Sequence, residues 1–296
     1  MAYCIKPDDR SVAAAIRRVA TEQAEKAVKS IDVDPYEDAV HDLRKRCKKI
    51  RGLVRFVRPA FPDYKATNAF FRDTARIVDA YRDARVMQDT YDALMDAYGE
   101  EVDRSALAGI RAEFTRQRTD LLNDGEVSDR LAECRRRMEE GLAMSRDWAL
   151  EEDGFDAFEG GMAKTYKRAR KAAGKAMDHG GGEAHHEMRK RVKYHWMHSR
   201  MLRPLWPGLF KARAKLAKDL SDVLGDHHDL TVFRDRLKGD EAEDARVMDA
   251  LAAKRSETLS QEAAEMAEKL LAAKPGDLVD QVANLWSPWA KRHGFS

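Results

Sequence analysis

Apolar residues in HDLRKRCKKIRGLVRFVRP, the stretch that begins at His41, fall at Leu43, Cys47, Ile50, Val54 and Val57. Steps of three and four residues put them on one side of a helix that turns about 100° per residue. Arg44, Lys45, Lys48 and Arg55 gather on the other side, within roughly 60° of His41. HEMRKRVKYHWMHSRMLRP, which begins at His186, repeats the layout. There His186, Arg189, Lys190, Lys193 and Arg200 oppose Met188, Val192, His195, Ser199 and Leu202. A third stripe, in KTYKRARKAAGK, sets Lys164, Lys167, Arg168, Lys171 and Lys175 against Met162, Tyr166, Ala169 and Ala173. Few runs of β-branched residues alternate with polar ones, so the pattern predicts an all-α protein.

The two histidine-led stretches align without a gap at an offset of 145 residues. His41 falls on His186, Arg44 on Arg189, Lys48 on Lys193, Arg55 on Arg200 and Pro59 on Pro204. With one residue inserted the match continues, Asp73 meeting Asp219 and Asp83 meeting Asp229. A repeat this long points to a duplicated domain, not a short-repeat solenoid. The first half, residues 1–150, is expected to hold helices near 9–30, 35–58, 66–97 and 104–148, the last broken near NDGE. The second half, residues 151–296, is expected to hold helices near 155–177, 184–203, 210–238, 241–273 and 277–292. Asp34-Pro35 reads as a cap before a proline at the first helical position, Pro59 and Pro204 end the basic helices, and HGGGE is a connector. Each half resembles a four-helix bundle with antiparallel neighbours.

Charge sharpens this picture. Charged residues make up 36% of the chain, yet the net charge is only +2. A solvated helix interleaves Glu with Lys, because like charges one turn apart repel by a few tenths of a kcal/mol. The three stripes lack those acids, and convergence would add to the repulsion unless a polyanion neutralised it. The cations should therefore form a bounded patch on an otherwise acidic chain. A helix of about twenty residues is roughly 30 Å long, which suits an extended anion. Arg forks and Lys point charges together favour phosphate oxygens.

Other features narrow the class. Cys4, Cys47 and Cys134 form no CxxC pair, which fits a reducing compartment. MAYCIKPDDRS has no secretory apolar region, and no apolar run approaches the roughly 18–20 residues of a membrane span. A soluble cytoplasmic protein is expected, with no membrane partner. His41 and His186 head their stripes, where an imidazole either donates to a phosphate oxygen or pins one helix to another. Anion contact predicts binding that strengthens modestly as pH falls through the histidine range. His195, His198, His227 and His228 raise the question of a metal, but His195 lies on an apolar side where the first copy has Ile50. Neither metal nor cofactor is expected. Asp83 and Asp229 read as acceptors for Arg or a helix end, and Trp286 and Trp289 as packing. No P-loop, glycine-rich phosphate cradle or nucleophile elbow occurs, so no catalytic residue is assigned.

The paired helices resemble those of the CHAD family, the conserved histidine α-helical domain. The resemblance rests on HDLRKRCKK and HEMRKRVKY, on the Asp-rich YRDARVM and LGDHHDLTVF that follow them, and on TYKRARKA. It implies two four-helix bundles related by a pseudo-twofold axis, with the basic helices lining a central groove. It also implies binding of inorganic polyphosphate, with polyphosphate granules and their proteins as further associations. The binding residues expected are His41, Arg44, Lys45, Lys48, Arg51 and Arg55, with His186, Arg189, Lys190, Lys193, Arg200 and Arg203. Lys164, Lys167, Arg168 and Lys171 are expected to extend the groove, and Lys218 to join it. The rival readings are a nucleic-acid-binding helical protein and a polyphosphate or triphosphate hydrolase. Against nucleic acid, the chain shows no recognised motif and no aromatic interleaving in the first stripe.

Overall fold

The computed structural model describes residues 3–123, 125–239 and 242–295. Among them the chain forms eleven α-helices after a 3-10 turn at Pro7–Asp9, and no strand. The first six are α1 (Val12–Val33), α2 (Tyr36–Phe56), α3 (Tyr64–Arg76), α4 (Asp79–Tyr98), α5 (Arg104–Asn123) and α6 (Glu126–Arg146). The rest are α7 (Asp156–His179), α8 (Gly182–Met201), α9 (Pro207–Leu237), α10 (Glu243–Leu270) and α11 (Pro275–His293).

Local chemistry sets most boundaries. The Ser11 hydroxyl accepts from the Ala14 amide at 3.0 Å and caps α1. Pro207 and Pro275 open α9 and α11, where a missing N–H costs nothing. Gly125, in the left-handed region at φ 80°, separates α5 from α6 at the expected NDGE break. Two expectations change. Asp34 closes α1, its amide donating to the Ser30 carbonyl at 2.9 Å, and Pro35 is the N-cap of α2. The single helix expected over 66–97 is two, turning at Ile77 and Val78. Side chains take the carbonyls that would carry it through this turn. Arg44 Nη1 donates to the Ala75 carbonyl at 3.1 Å, and Cys134 Sγ lies 3.6 Å from that of Thr74.

Packing joins the two halves of the chain. α1 lies between α2 and α6, while α8 lies between α7 and α9. One apolar cluster runs from α1 and α2 through α6, α7 and α8 to α11 and contains Phe56, Phe158 and Trp286. Phe56 and Phe158 stack at 4.7 Å, and Trp286 meets the edge of Phe158 at 5.0 Å. A second cluster unites Tyr91 and Leu94 of α4 and Phe114 of α5 with Phe233 of α9 and Met248 of α10. Burying each of these large side chains stabilises the fold by about 1.5–3 kcal/mol. Where α2 crosses α8, a Cβ on Gly52 would overlap the Met197 side chain. These two positions are counterparts at the 145-residue offset. The crossing brings the basic faces of α2 and α8 near each other.

Candidate functional site

A cavity of about 580 Å³ opens where α2, α4, α5, α8 and α9 meet. From α2 it receives His41, Arg44, Lys45 and Lys48, from α8 Arg189, Lys193 and Arg200, and from α9 Lys218. Sequence reasoning singled out all eight. Four further cations, Lys49, Arg82, Arg85 and Arg118, were missed. Lys49 lies about 80° from His41 on the helical wheel, just outside the stripe. The other three are interspersed with acids in α4 and α5, a pattern that reads as solvated surface. Val40, Val86, Leu121 and Leu122 add apolar wall.

The remaining expected residues lie elsewhere. Arg55, Lys164 and Arg168 meet in a separate small cleft with Arg58, Arg191 and Tyr194. Arg51, Lys167, Lys171, His186, Lys190 and Arg203 line neither place. Arg51 donates to Asn68 Oδ1 at 3.2 Å, and Lys190 pairs with Glu187 at 2.6 Å. His186 packs its ring on His228 at 4.0 Å. His41 and His186 thus differ: the first faces the cavity and the second holds α8 against α9. Burial and adjacent cations, Lys45 for His41 and Lys190 for His186, lower both histidines below the ordinary value.

His195 and His198 have protein partners. His195 is buried and accepts from Arg213 Nε at 2.9 Å, while His198 Nε2 lies 3.1 Å from the Gly52 carbonyl. Among the described residues no group of three His, Cys, Asp or Glu side chains is arranged to hold a metal.

Cations in the cavity divide into two sets. Arg44 pairs with Asp79, Lys45 with Asp42 at 2.7 Å, and Lys218 with Asp222 at 2.5 Å. Arg82 bridges the halves, reaching Asp83 at 3.0 Å and Asp229 at 2.8 Å. Burial disfavours its charge, but the two carboxylates outweigh burial and raise its pKa. Arg118 donates to Glu37 at 2.6 Å, and Arg85 approaches Asp89 at 3.5 Å. Lys48, Lys49, Arg189, Lys193 and Arg200 have no carboxylate partner among the described residues. Arg189 Nε is buried without any acceptor.

That second set bears the electrostatic strain. Burial, then Arg44, Lys193 and Arg189, push the Lys48 amine well below the ordinary lysine value. Burial and Arg189 lower Lys193 to about 8, and burial with Arg46 and Arg200 lowers Lys49 to about 7. A site that depresses three amines is one where additional negative charge is favoured.

Helices throughout, with a cavity that cations of α2 and α8 line, define an all-α protein. The chain belongs to the CHAD domain family, whose model matches residues 11–238. It is also similar to two proteins of Mycobacterium tuberculosis, each named only as uncharacterized (MT2285 and Rv2226). Each is 27% identical over 235 residues, which make up 75% of this chain and 44% of the relative. This chain therefore matches less than half the length of those relatives. No helix among the described residues is long and apolar enough to cross a membrane.

Proposed function

We propose that the chain binds inorganic polyphosphate in the cavity between α2 and α8 and does not alter it chemically. The observation that carries this reading is a set of five cations, Lys48, Lys49, Arg189, Lys193 and Arg200, that face one cavity without carboxylate partners among the described residues. A volume of about 580 Å³ is typical of a small-molecule pocket, so it takes a segment of the polymer while the remainder runs outside. Residues 1–150 and 151–296 are, in this reading, two copies of one helical bundle related by a pseudo-twofold axis. The meeting of counterparts Gly52 and Met197 supports that axis, because equivalent positions touch where a twofold passes. Retention at cytoplasmic polyphosphate granules follows from such binding.

The test is titration with polyphosphates of defined length across a range of salt concentrations. Five phosphate contacts, at the single-strand slope, give about a hundredfold loss of affinity for a fourfold rise in salt. Lys48→Gln/Lys193→Gln is expected to weaken binding by at least tenfold. Salt-independent binding, or an unaffected double variant, would refute the reading. Competition with single- and double-stranded nucleic acid tests the nucleic-acid alternative, and phosphate release with Mg²⁺ tests the hydrolase.

A further inference from the structure

The third basic stripe does not open on the cavity. A Cβ on Gly161 would overlap the carbonyl oxygens of Arg55 and Phe56, so its absence lets α7 settle on the last turn of α2. Lys164 and Arg168 thereby join Arg55, Arg58 and Arg191 around the small cleft, which no acidic side chain lines. Arg55 lies over the Tyr194 ring at 4.2 Å and Arg58 over Tyr64 at 4.6 Å. Arg191 pairs with Glu187 beyond the cleft, but Lys164 and Arg168 have no acceptor among the described residues. The carbonyl end of α2 supplies only about half a negative charge against five cations.

The 145-residue offset provides an internal control. Gln23 is the counterpart of Arg168, Arg46 of Arg191 and Val19 of Lys164. In that copy Arg46 Nη1 donates to Gln23 Oε1 at 3.0 Å. The N-terminal segment fills the equivalent place. Tyr3 lies 5.4 Å from the Arg200 guanidinium, and its hydroxyl donates to the Lys49 carbonyl at 2.9 Å. The Ile5 amide donates to the Met201 carbonyl at 3.1 Å. Lys49, Arg200 and Met201 are the counterparts of Tyr194, Arg55 and Phe56, which stand at the open cleft. One copy thus has an acceptor and a plug, whereas the other has two additional cations and neither. Guanidinium groups that converge repel unless an anion lies between them.

We propose that the open cleft is a second anion site, distinct from the cavity, that holds a single phosphoryl group. Its enclosed space is about 10 Å³, about one water site, so the group sits in its mouth. There it meets the exposed Lys164 and Arg168, with Arg55 and Arg191 lining the same cleft. Arg forks and a Lys ammonium match its oxygens. Orthophosphate and one phosphate of a chain present the same chemistry. The inference stands apart from the cavity reading, because no residue lines both places.

Calorimetric titration of the full chain tests it, with orthophosphate in one arm and tripolyphosphate in the other. The expected result with tripolyphosphate is two sites per chain, of which Lys164→Gln/Arg168→Gln removes one. Lys48→Gln/Lys193→Gln should leave the cleft site intact. Loss in both arms identifies a site for any phosphate, and loss with tripolyphosphate alone identifies a site for the chain. If the Lys164→Gln/Arg168→Gln variant keeps wild-type stoichiometry and affinity in both arms, the proposal is overturned and the cavity reading is untouched. Arg168→Gln alone rebuilds the acceptor of the first copy. It is expected to raise the melting midpoint in phosphate-free buffer and to shrink the rise that added phosphate produces; an unchanged response to phosphate counts against the site.

Discussion

Polyphosphate binding should take up protons, and the amines of the cavity set the pH window. In the ligand-free chain Lys193 titrates at about 8 and Lys49 at about 7, and Lys48 is also depressed. Burial is the main cause of these shifts and persists in the complex, but a polyanion in the cavity offsets the repulsion from neighbouring cations and raises the amines toward the ordinary value of about 10.4. Between these limits the complex holds protons that the free chain has released, so affinity falls as pH rises. For Lys193 the loss from pH 8 to pH 9.5 is at most roughly tenfold, or about 1.4 kcal/mol. Lys48 and Lys49 add to it. A long-chain polyphosphate is the right ligand, because its inner phosphates do not titrate in this range. Calorimetry in two buffers of different ionisation enthalpy, at fixed salt, reads the uptake directly. Lys48→Arg/Lys193→Arg keeps its charge throughout and should flatten the dependence. Equal affinity at pH 7 and 9.5, with heats independent of buffer, would refute the reasoning. The sign reverses for the free fold. Unfolding restores the ordinary pKa, so the unfolded chain binds more protons across this window, and ligand-free stability rises with pH there.

Three further outcomes rest on other contacts. Gly225→Asp supplies the carboxylate that Arg189 lacks, its guanidinium lying 2.9 Å from where the new Cβ would sit. Polyphosphate affinity should drop severalfold in a titration. Gly161→Ala drives a Cβ into the Arg55 and Phe56 carbonyls; a cost of about 1–3 kcal/mol, visible as a drop of several degrees in a thermal melt, is expected. His198 titrates at about 3 and His227 at about 4, so the fold keeps both neutral while the unfolded chain protonates them near 6.5. Stability should therefore fall as pH drops from 6.5 toward 4, by about 1–2 kcal/mol per histidine between pH 7 and 5, and equal urea midpoints at those two pH values would exclude the effect.

The sequence revealed most where one rule applies locally. Leu43, Cys47, Ile50 and Val54 define the buried side of α2 by period alone, and all four are buried. The opposite side was legible for the same reason, and His41, Arg44, Lys45 and Lys48 share one cavity. The turn between α3 and α4 was not legible, since no Pro or Gly marks it. It coincides with a hydrogen bond from Arg44, 31 residues earlier, to the Ala75 carbonyl. The stripe on α7 could be read as cationic, but not its destination. That depends on Gly161 meeting the backbone of α2, a contact between segments more than 100 residues apart. Arg82 was missed because its partner is Asp229, as remote in sequence.

Divergence between the counterparts explains how the chain tolerates so many unpaired cations. Arg44 has Asp79, but the residue aligned with Asp79 in the second half of the chain is Gly225, and Arg189 lies over that glycine with a buried Nε unpartnered. Arg82 meanwhile sits between Asp83 and Asp229, which meet when the two halves of the sequence are aligned. Thus Arg44 is neutralised by a carboxylate that ties α2 to α4, whereas its counterpart Arg189 is left without one. An unpaired buried donor costs about 1–3 kcal/mol, and two like charges about 8 Å apart at an effective dielectric of 20 repel by about 2 kcal/mol. Apolar clusters that cross between the halves can offset costs of that size. An anion bound among Lys48, Arg189 and Lys193 removes them, so its binding draws on repulsion already present in the free fold as well as on the contacts it makes.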